Sequence, residues 1–343
     1  MKLLYIGEKQ ITIINGWGQV NKRNQIVLER IFDEVKYIAL DRKSTFQSLF
    51  FGITSEVIIN TLNELSNGYD YVFVCQSLCG RICKIIKKYY PTVKVITFFH
   101  NIERQYAKEY CKVSGVRAIP YYLRVRVWEK MAVEYSDFCI TLNERDSKLL
   151  ESYYKKSANA ILPTSLEDKF TDDNQLNNMP VIDYLFVGAA FYPNVEGVQW
   201  FIDNVMPHVE GKLCVVGKNM DYKLFRNLSD NVEIHGFVDD LAEYYSRSKM
   251  VVSPIFHGGG MKTKTAEALM YGKFIIGTDE ALEGYVFNSE CMSRCNTKDE
   301  FVKSILNIEN KGYHHNMHSR LLFHEYYSYE SSEKLIRDLL GFS

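Results

Sequence analysis

The stretch "FHGGGMKTKTAEALMYGKFIIGT", residues 256–278, reads as a glycine loop, a short helix and a buried strand. Lys262 and Lys264 stand in the first turn of that helix, where the backbone N–H groups already carry partial positive charge. A bound anion would make this unfavourable arrangement favourable, and glycines let amide groups approach a phosphate closely. The stretch therefore predicts an anion site. A glycine-rich turn with two solvated lysines is the alternative that so short a motif leaves open.

The predicted helix spans residues 261–271. It places Gly260, Lys264 and Glu267 on one stripe, because successive residues turn by about 100°. Lys264 and Glu267 are then separated by about 4.5 Å along the helix axis. Phosphates at the helix start, followed by a carboxylate that accepts two ribose hydroxyl hydrogens, suit a nucleoside diphosphate. An ordinary surface ion pair between residues three apart is the alternative. Gly272 stands where the helix is expected to end.

Short apolar runs alternate with helical stretches along most of the chain, which is typical of parallel sheets covered on both faces. Between the two series of runs, residues 163–180 are polar and contain two prolines, so we read them as a linker. The sequence predicts an α/β protein of two Rossmann-like, doubly wound domains that face each other across a cleft, with ligands at the carboxyl ends of the strands. The predicted strands cover residues 2–7, 69–76, 93–100 and 136–143 in the first series, and 184–189, 212–217, 232–237, 250–256 and 273–278 in the second. The sequence also predicts a loop over residues 15–24, followed by the helical stretch "QIVLERIF", and a helix near residues 221–228.

The bulk composition indicates an ordinary globular protein of 343 residues, 46% hydrophobic and 24% charged. No apolar run reaches the length that crosses a bilayer, and the opening residues "MKLLYIG" lack the pattern of a cleavable signal. Eight cysteines scattered along the chain indicate a reducing compartment, so we expect a cytoplasmic location.

Charge is divided unevenly along the chain. Residues 1–160 contain 24 Lys and Arg against 16 Asp and Glu, whereas residues 161–343 contain 17 against 26. The basic half suits an anionic lipid or a lipid-linked phosphate, and a solvated basic surface is an equal alternative. The helical stretch "YYLRVRVWEKM", residues 121–131, fits either a membrane surface or a domain helix with extended Arg and Lys side chains.

Several segments together carry a family resemblance. The segment "GGGMKTKTAEALMYGKFIIGT" resembles the C-terminal signature of family-four glycosyltransferases of the GT-B fold, in particular the branch with a Gly-x-Lys-x-Lys-x-x-Glu-Ala pattern. The segment "FFHNIE", residues 98–103, resembles the histidine-containing loop of that family. The resemblance covers roughly residues 95–285 and implies a retaining hexosyltransferase that uses a nucleotide-diphosphate sugar. Further segments in family order are "ITLNERDSKLL", "VGAAFYPNVEGVQWF", "VVGKN" and "VEIHGFVDDLAEYYSRSKMVVSP".

The resemblance implies that the C-terminal domain, residues 180–320, binds the donor. Glu267 would bind the ribose. Lys264 would neutralise the diphosphate with support from Lys262 and, as its charge stabilises the leaving group, would be catalytic. The glycines that would face the transferred sugar and the phosphates are Gly258, Gly259 and Gly260.

Four further residues receive roles from the resemblance. Phe237 would lie beside the base. Gly16 and Gly18 would approach the diphosphate from the N-terminal, acceptor-side domain, residues 1–165, and an ordinary turn is the alternative for them. His100 would contribute a catalytic hydrogen bond near the sugar, with a buried histidine of purely structural role as the alternative.

The chain also departs from the family pattern. Many relatives have a second glutamate at the position of Gly259, and no carboxylate stands nearby in this loop. The role of that glutamate therefore does not carry over. The segment "GAAFYPN", residues 188–194, lacks the Arg or Lys found there in many relatives. With no clustered Asp/Glu pair, we expect no protein-held metal and no cofactor beyond the sugar donor.

Together these expectations describe a cytoplasmic glycosyltransferase in polysaccharide biosynthesis. It would move a hexose from a UDP- or GDP-linked sugar to a glycan or lipid-linked acceptor, with no nucleic-acid partner. Peripheral contact with the inner face of the plasma membrane would come through the basic domain, and residues 321–343 would form a helix that crosses back to that domain.

Two rival functions are weighed against this one. A non-catalytic GT-B scaffold that binds a glycan or a partner enzyme stays open because the upstream glutamate is missing. A nicotinamide-dependent oxidoreductase is disfavoured, because "IGEKQI" after the first predicted strand lacks the G-x-G-x-x-G pattern.

Overall fold

The structure is a computed structural model that describes residues 1–9, 16–40, 50–171, 181–309 and 315–342. The chain divides into two compact units, one of Met1–Pro163 with Ser332–Ser343 and one of Thr164–Ser331. These boundaries differ from the predicted ones, since the segment that returns to the first unit begins at Ser332 rather than at residue 321. Of the predicted linker, residues 172–180 lie outside the described residues.

The first unit is built on six strands: β1 Lys2–Ile6, β2 Glu34–Ile38, β3 Tyr71–Val74, β4 Lys94–Phe99, β5 Phe138–Thr141 and β6 Ala160–Ile161. They pair in parallel in the order β2-β1-β3-β4-β5-β6. The four predicted strands of this half are present. Strand β2 was not predicted, because "EVKYI" lies at the sheet edge with no fully buried residue and so lacks an apolar run. The helices are α1 Gly16–Ile31, α2 Ser55–Leu65, α3 Gly80–Tyr89, α4 Glu103–Ser114, α5 Ile119–Tyr135 and α6 Glu144–Tyr154.

The second unit has strands β7 Ile182–Val187, β8 Leu213–Val216, β9 Val232–His235, β10 Ser248–Ser253, β11 Phe274–Gly277 and β12 Met292–Arg294. They pair in parallel in the order β12-β11-β10-β7-β8-β9. The order reverses between β7 and β10, and in such sheets ligands bind outside the carboxyl ends of the strands at this point. The helices are α7 Tyr192–Asn204, α8 Leu241–Ser246, α9 Thr263–Met270, α10 Lys298–Glu309 and α11 Met317–Leu322, and α12 Tyr329–Leu340 follows a short π-helical segment, Phe323–Tyr327.

These two parallel, doubly wound sheets confirm the predicted α/β fold class. The strands are apolar on both sides because helices cover both faces. In the second unit Tyr184, Phe186, Phe201 and Phe301 belong to one buried cluster that packs strand β7 against helices α7 and α10. No helix within the described ranges is both long and apolar enough to cross a membrane.

Two local predictions are corrected. Residues 15–24 were expected to form a loop, but α1 already begins at Gly16, and Asn15 lies outside the described residues. Polar side chains on the buried face of α1 conceal its helical period, since Arg23 is fully buried and bonds the main chain at Leu162 and Pro163. The helix predicted over 221–228 is only a 3₁₀ turn, Tyr222–Leu224.

Candidate active site

Helix α9 starts at Thr263, and Lys262 is its N-cap residue rather than a residue of its first turn. The buried Tyr285 fixes this start. Its hydroxyl accepts a hydrogen bond from the Ala266 amide at 3.2 Å and donates one to the Lys262 carbonyl at 2.8 Å. The helix ends at Met270 with Tyr271 as its cap, and Gly272 follows with a φ of +64° that favours glycine, in agreement with its predicted role at the helix end.

The Lys264 side chain is enclosed at the carboxyl end of β7. Its ammonium group donates to the Asn194 amide oxygen at 2.7 Å and lies 4.3 Å from the centre of the Phe186 ring. Burial lowers the pKa of Lys264 to about 7, with a further contribution from Lys262 and an opposing one from Glu267. A bound anion would stabilise the charged form of Lys264, because negative charge nearby raises the pKa of an ammonium group.

Gly188 brings the main chain close to Lys264, and Gly197 and Gly217 allow close main-chain contacts between neighbouring segments. A Cβ atom on Gly188 would lie 2.9 Å from the Lys264 ammonium, and one on Gly197 would collide with the Pro254 carbonyl oxygen. A Cβ on Gly217 would collide with the Gly188 carbonyl oxygen. The segments that leave β7, β8 and β10 therefore touch through main-chain atoms at the point where the strand order reverses.

Lys262 is held differently from Lys264. Its ammonium group donates to Glu280 at 2.6 Å and to the carbonyl oxygens of Gly260 at 3.0 Å and Gly259 at 3.4 Å. The loop itself contains no carboxylate, as its sequence shows, but the structure brings one to it. Glu280 follows strand β11 and reaches the loop from a separate segment of the chain. In this structure Lys262 supports the loop with its charge balanced by a carboxylate.

Glu267 lies on the same helix as Lys264 and is half-buried. One carboxylate oxygen accepts a hydrogen bond from the Tyr245 hydroxyl at 3.2 Å. The Tyr245 ring is fully buried and stacks on Tyr271 with ring centres 4.7 Å apart. This partner orients the carboxylate, and no local sequence pattern indicates it.

The three loop glycines differ in their backbone requirements. Gly258 has a φ of +146° and Gly260 a φ of +65°, so side chains at both positions are strained. A Cβ on Gly259 would meet nothing within 4 Å among the described residues. Phe237 follows the edge strand β9 and is 73% exposed, and its position beside a base stays a prediction.

In the first unit, His100 follows strand β4 and is buried. Its Nε2 lies 3.1 Å from the Asn21 amide oxygen, and its ring centre lies 5.4 Å from that of Trp17. Burial, assisted by Arg23, lowers the pKa of His100 to about 3, so the ring is neutral at pH 7. A neutral ring fits a hydrogen-bonding role.

The first turn of α1 contains Gly16 and Gly18 on either side of Trp17. The structure places the ring of Trp17, which lies between the two glycines, beside His100 within the first unit. Both glycines belong to a helix start and not to the predicted loop. Their contact with a diphosphate stays a prediction.

A buried carboxylate that the sequence did not reveal organises the segment after His100. Glu129 on α5 accepts four hydrogen bonds, from the amides of Glu103 at 2.8 Å and Arg104 at 3.1 Å, from the Ser77 hydroxyl at 3.1 Å and from the Tyr154 hydroxyl at 2.7 Å. Two of these donors are the first amides of α4. Glu129 therefore caps the helix that directly follows the histidine loop.

Glu103 is the first residue of α4 and lies in the segment "FFHNIE". Burial raises the pKa of Glu103 to about 7, and the nearby carboxylates of Glu129 and Asp146 add to the effect. A carboxyl group with this pKa can donate or accept a proton at neutral pH. Its position directly after a predicted strand end was the available sequence signal.

Potential metal ligands meet at one place among the described residues. Cys214 on β8 and Glu233 and His235 on β9 each offer one ligand atom. These three atoms lie within 4.8 Å of one another. The Lys212 ammonium contacts the same Glu233 carboxylate, and burial raises the pKa of the Cys214 thiol to about 12. Both features oppose metal binding, and the expected absence of a metal stays a prediction.

Comparison with known proteins places these observations in context. Residues 182–310 match the family model described as glycosyl transferases group 1. The chain is 26% identical over 323 residues to an uncharacterized 44.6 kDa protein in the cps region of Klebsiella pneumoniae, covering 84% of this chain and 79% of that protein.

Solved structures resemble the whole chain. Sucrose-phosphate synthase from Thermosynechococcus elongatus matches with a TM-score of 0.71 at 15% identity over 100% of both chains. HepE from Anabaena, in complex with UDP, matches with a TM-score of 0.67 at 10% identity over 99% of this chain and 100% of that chain. The chain has the GT-B fold. The catalytic domain of starch synthase IV from Arabidopsis thaliana, bound to ADP and acarbose, gives 0.65 at 12% identity over 99% and 98% of the chains. Together, family match and fold support a glycosyltransferase.

The setting of Lys264 predicts how the binding of a phosphate-bearing ligand would depend on pH. The pKa of its ammonium is about 7, and a phosphate beside it would raise that pKa, so binding above pH 7 would take up a proton. Affinity for UDP-glucose should be fully developed below pH 7 and fall by up to about tenfold per pH unit above it. Isothermal titration calorimetry across this range measures the effect. Lys264→Arg, which stays charged, should flatten the profile, and a flat wild-type profile would contradict the assignment.

Proposed function

We propose that this protein is a retaining, metal-independent hexosyltransferase in polysaccharide biosynthesis. Its donor is a UDP- or GDP-linked sugar, and its acceptor is a glycan or a lipid-linked carrier at the inner face of the plasma membrane. The observation that carries the proposal is the enclosed Lys264 ammonium at the reversal point of the second sheet, between a glycine loop and Glu267. A diphosphate is the ligand that suits this combination of charge and close main-chain approach.

The comparisons support parts of this proposal. The neighbour HepE is described in complexes with UDP and with UDP-glucose, and starch synthase IV is described with ADP bound. These ligands support a nucleotide-linked sugar as the donor. The relative in a cps region supports a role in polysaccharide synthesis. Retention and the hexose come from the family resemblance of the motif around Lys264.

The proposed reaction breaks the bond between the anomeric carbon and the diphosphate oxygen while the acceptor hydroxyl oxygen bonds that carbon. The acceptor proton passes to the departing diphosphate. Negative charge grows on the leaving oxygen, and the Lys264 ammonium stabilises it in a partly water-excluded place. Glu267 holds the ribose, and Lys262 with Glu280 keeps the glycine loop in shape.

A thermal-shift screen with UDP, GDP, dTDP and their sugars tests donor binding, because a ligand that binds only the native state raises its melting temperature. We expect one base to be preferred. Release of nucleoside diphosphate from the preferred donor then separates an enzyme from a scaffold. No shift with any of these compounds would contradict the proposal, and a shift without any release would favour the non-catalytic scaffold.

Glu267→Gln should weaken donor binding more than it slows turnover. The amide keeps the shape of the side chain but loses the charge that strengthens hydrogen bonds to ribose hydroxyls, a loss of about 1.5–3 kcal/mol. Since 1.4 kcal/mol of binding free energy corresponds to a tenfold change in Kd, we expect the Kd for the preferred nucleotide to rise by about tenfold to a hundredfold. Tyr245→Phe removes only the hydroxyl that orients the carboxylate and should have a smaller effect. An unchanged Kd in Glu267→Gln would remove Glu267 from the site.

A further inference from the structure

Helices α4 and α5 and the turn between them, which we call the α4–α5 hairpin, expose an unusual amount of apolar surface. Seven of the 23 exposed large hydrophobic side chains in the described chain fall within residues 106–127. On α4 they are Tyr106, Tyr110 and Val113. Their spacing of four and three residues puts them on one stripe of the helix. Val113 is 88% exposed.

The turn and the second helix continue the pattern. Val116 in the turn is 79% exposed. On α5 the exposed apolar residues are Ile119, Leu123 and Val127, at intervals of four, so they form a stripe on its solvent side. Single exposed apolar residues are ordinary, but a concentration of them on adjoining elements marks an interaction surface.

Basic side chains accompany this apolar surface. Exposed cations within residues 106–127 are Lys108, Lys112, Arg117 and Arg126, against one exposed carboxylate, Glu109. The combination of large apolar side chains with flanking Lys and Arg is typical of surfaces that lie in the headgroup region of an anionic bilayer. The aliphatic stems of these cations can lie along the apolar surface while their charges reach phosphates.

The inner side of the hairpin is fixed. Ala107 and Val125 are fully buried, and the rings of Tyr110 and Tyr121 meet edge to face with centres 6.2 Å apart. Glu129 on α5 bonds the first amides of α4 and so ties the two helices together. The exposed stripes therefore belong to a preorganised element and need little ordering on binding.

We infer that the α4–α5 hairpin is a docking surface for an anionic phospholipid bilayer. Val113 and Val116 enter the acyl boundary, and Lys112 and Arg117 contact lipid phosphates beside them. The inference specifies the membrane contact of the proposed function. It is tested without donor or acceptor, so its failure leaves the transfer reaction untouched.

Co-sedimentation of the full chain with vesicles of phosphatidylglycerol tests the inference. We expect binding to these vesicles, at least tenfold weaker binding to phosphatidylcholine, and a further loss as salt rises. The double variant Val113→Asp/Val116→Asp should lower the partition coefficient at least tenfold and keep the fold, since both positions are exposed. Ile59→Asp is the matched control, since Ile59 is 56% exposed on α2 of the same unit.

Several results would overturn the docking surface. These are no binding of the wild-type chain to phosphatidylglycerol, equal binding by the double variant, or an equal loss in Ile59→Asp. Self-association of the wild-type chain that the double variant abolishes, without vesicle binding, would assign the surface to a contact between copies instead. Unchanged donor binding by the double variant would support a separate role for the hairpin.

Discussion

Lys264→Met should lower kcat by about a hundredfold to a thousandfold, the effect of removing one preorganised charge from a developing oxyanion. Methionine fills nearly the same volume and needs no hydrogen bond, so contact with Phe186 persists while the ammonium disappears. Steady-state release of nucleoside diphosphate from the preferred donor measures the effect.

Lys273→Met is the matched control for this variant. Lys273 is also a buried lysine of the second unit, with its pKa lowered to about 8 by burial, but its ammonium bonds the Ser248 carbonyl at 2.9 Å at the amino end of β10. This position lies at the opposite end of β10 from the reversal-point site, so kcat of a folded Lys273→Met protein should stay within a few-fold of wild type. Near-normal turnover in a folded Lys264→Met protein, or an equal loss in Lys273→Met, would overturn the role of Lys264.

Glu129→Ala should lower the free energy of unfolding by about 3 kcal/mol or more, because it strands several buried donors at once. Two of them are amides at the start of α4, and the others are the hydroxyls of Ser77 and Tyr154. Glu129→Gln keeps one acceptor oxygen but points an NH₂ group at a donor, so its loss should be intermediate. Urea denaturation followed by circular dichroism measures both changes.

Glu134→Ala provides the control on the same helix. Its carboxylate is half exposed and pairs only weakly with Lys130 at 3.3 Å, so the change should stay within about 1 kcal/mol. Equal stability of Glu129→Ala and Glu134→Ala would show that the buried carboxylate does not hold α4. A destabilised Glu129→Ala should also lose affinity for lipid vesicles, because the α4–α5 hairpin would loosen.

Much of the fold could be predicted from the sequence because parallel strands buried on both faces are continuous apolar runs. Strands β1, β3 and β7 can be identified in the sequence as such runs. Strand β2 cannot, because one side of this edge strand faces solvent. The first half of helix α1 was missed for a different reason. Asn21 and Arg23 are polar yet buried, and only long-range partners such as the Pro163 carbonyl explain their burial.

The candidate site was predictable where its residues share one helix. Lys264 and Glu267 are three residues apart, and helix geometry alone puts them on one stripe. Asn194 and Glu280 were missed because their partners lie 70 and 18 residues away along the chain. Nothing in the local pattern identifies such contacts. Residues 121–131 were likewise interpreted as a basic and aromatic stretch. That pattern did not indicate that Glu129 faces inward.

The glycines at positions 188, 197 and 217 restrict how this protein can diversify. Where two main chains are in direct contact, an added side chain would collide with one of them. The shape of this part of the protein therefore cannot change through small substitutions at these glycines. Exposed positions in the neighbouring segments, such as Phe191, Tyr192 and His257, carry no such restriction. Substitutions there cost the fold least, so we expect variation in this part of the sequence to fall on exposed side chains and to leave the three glycines unchanged.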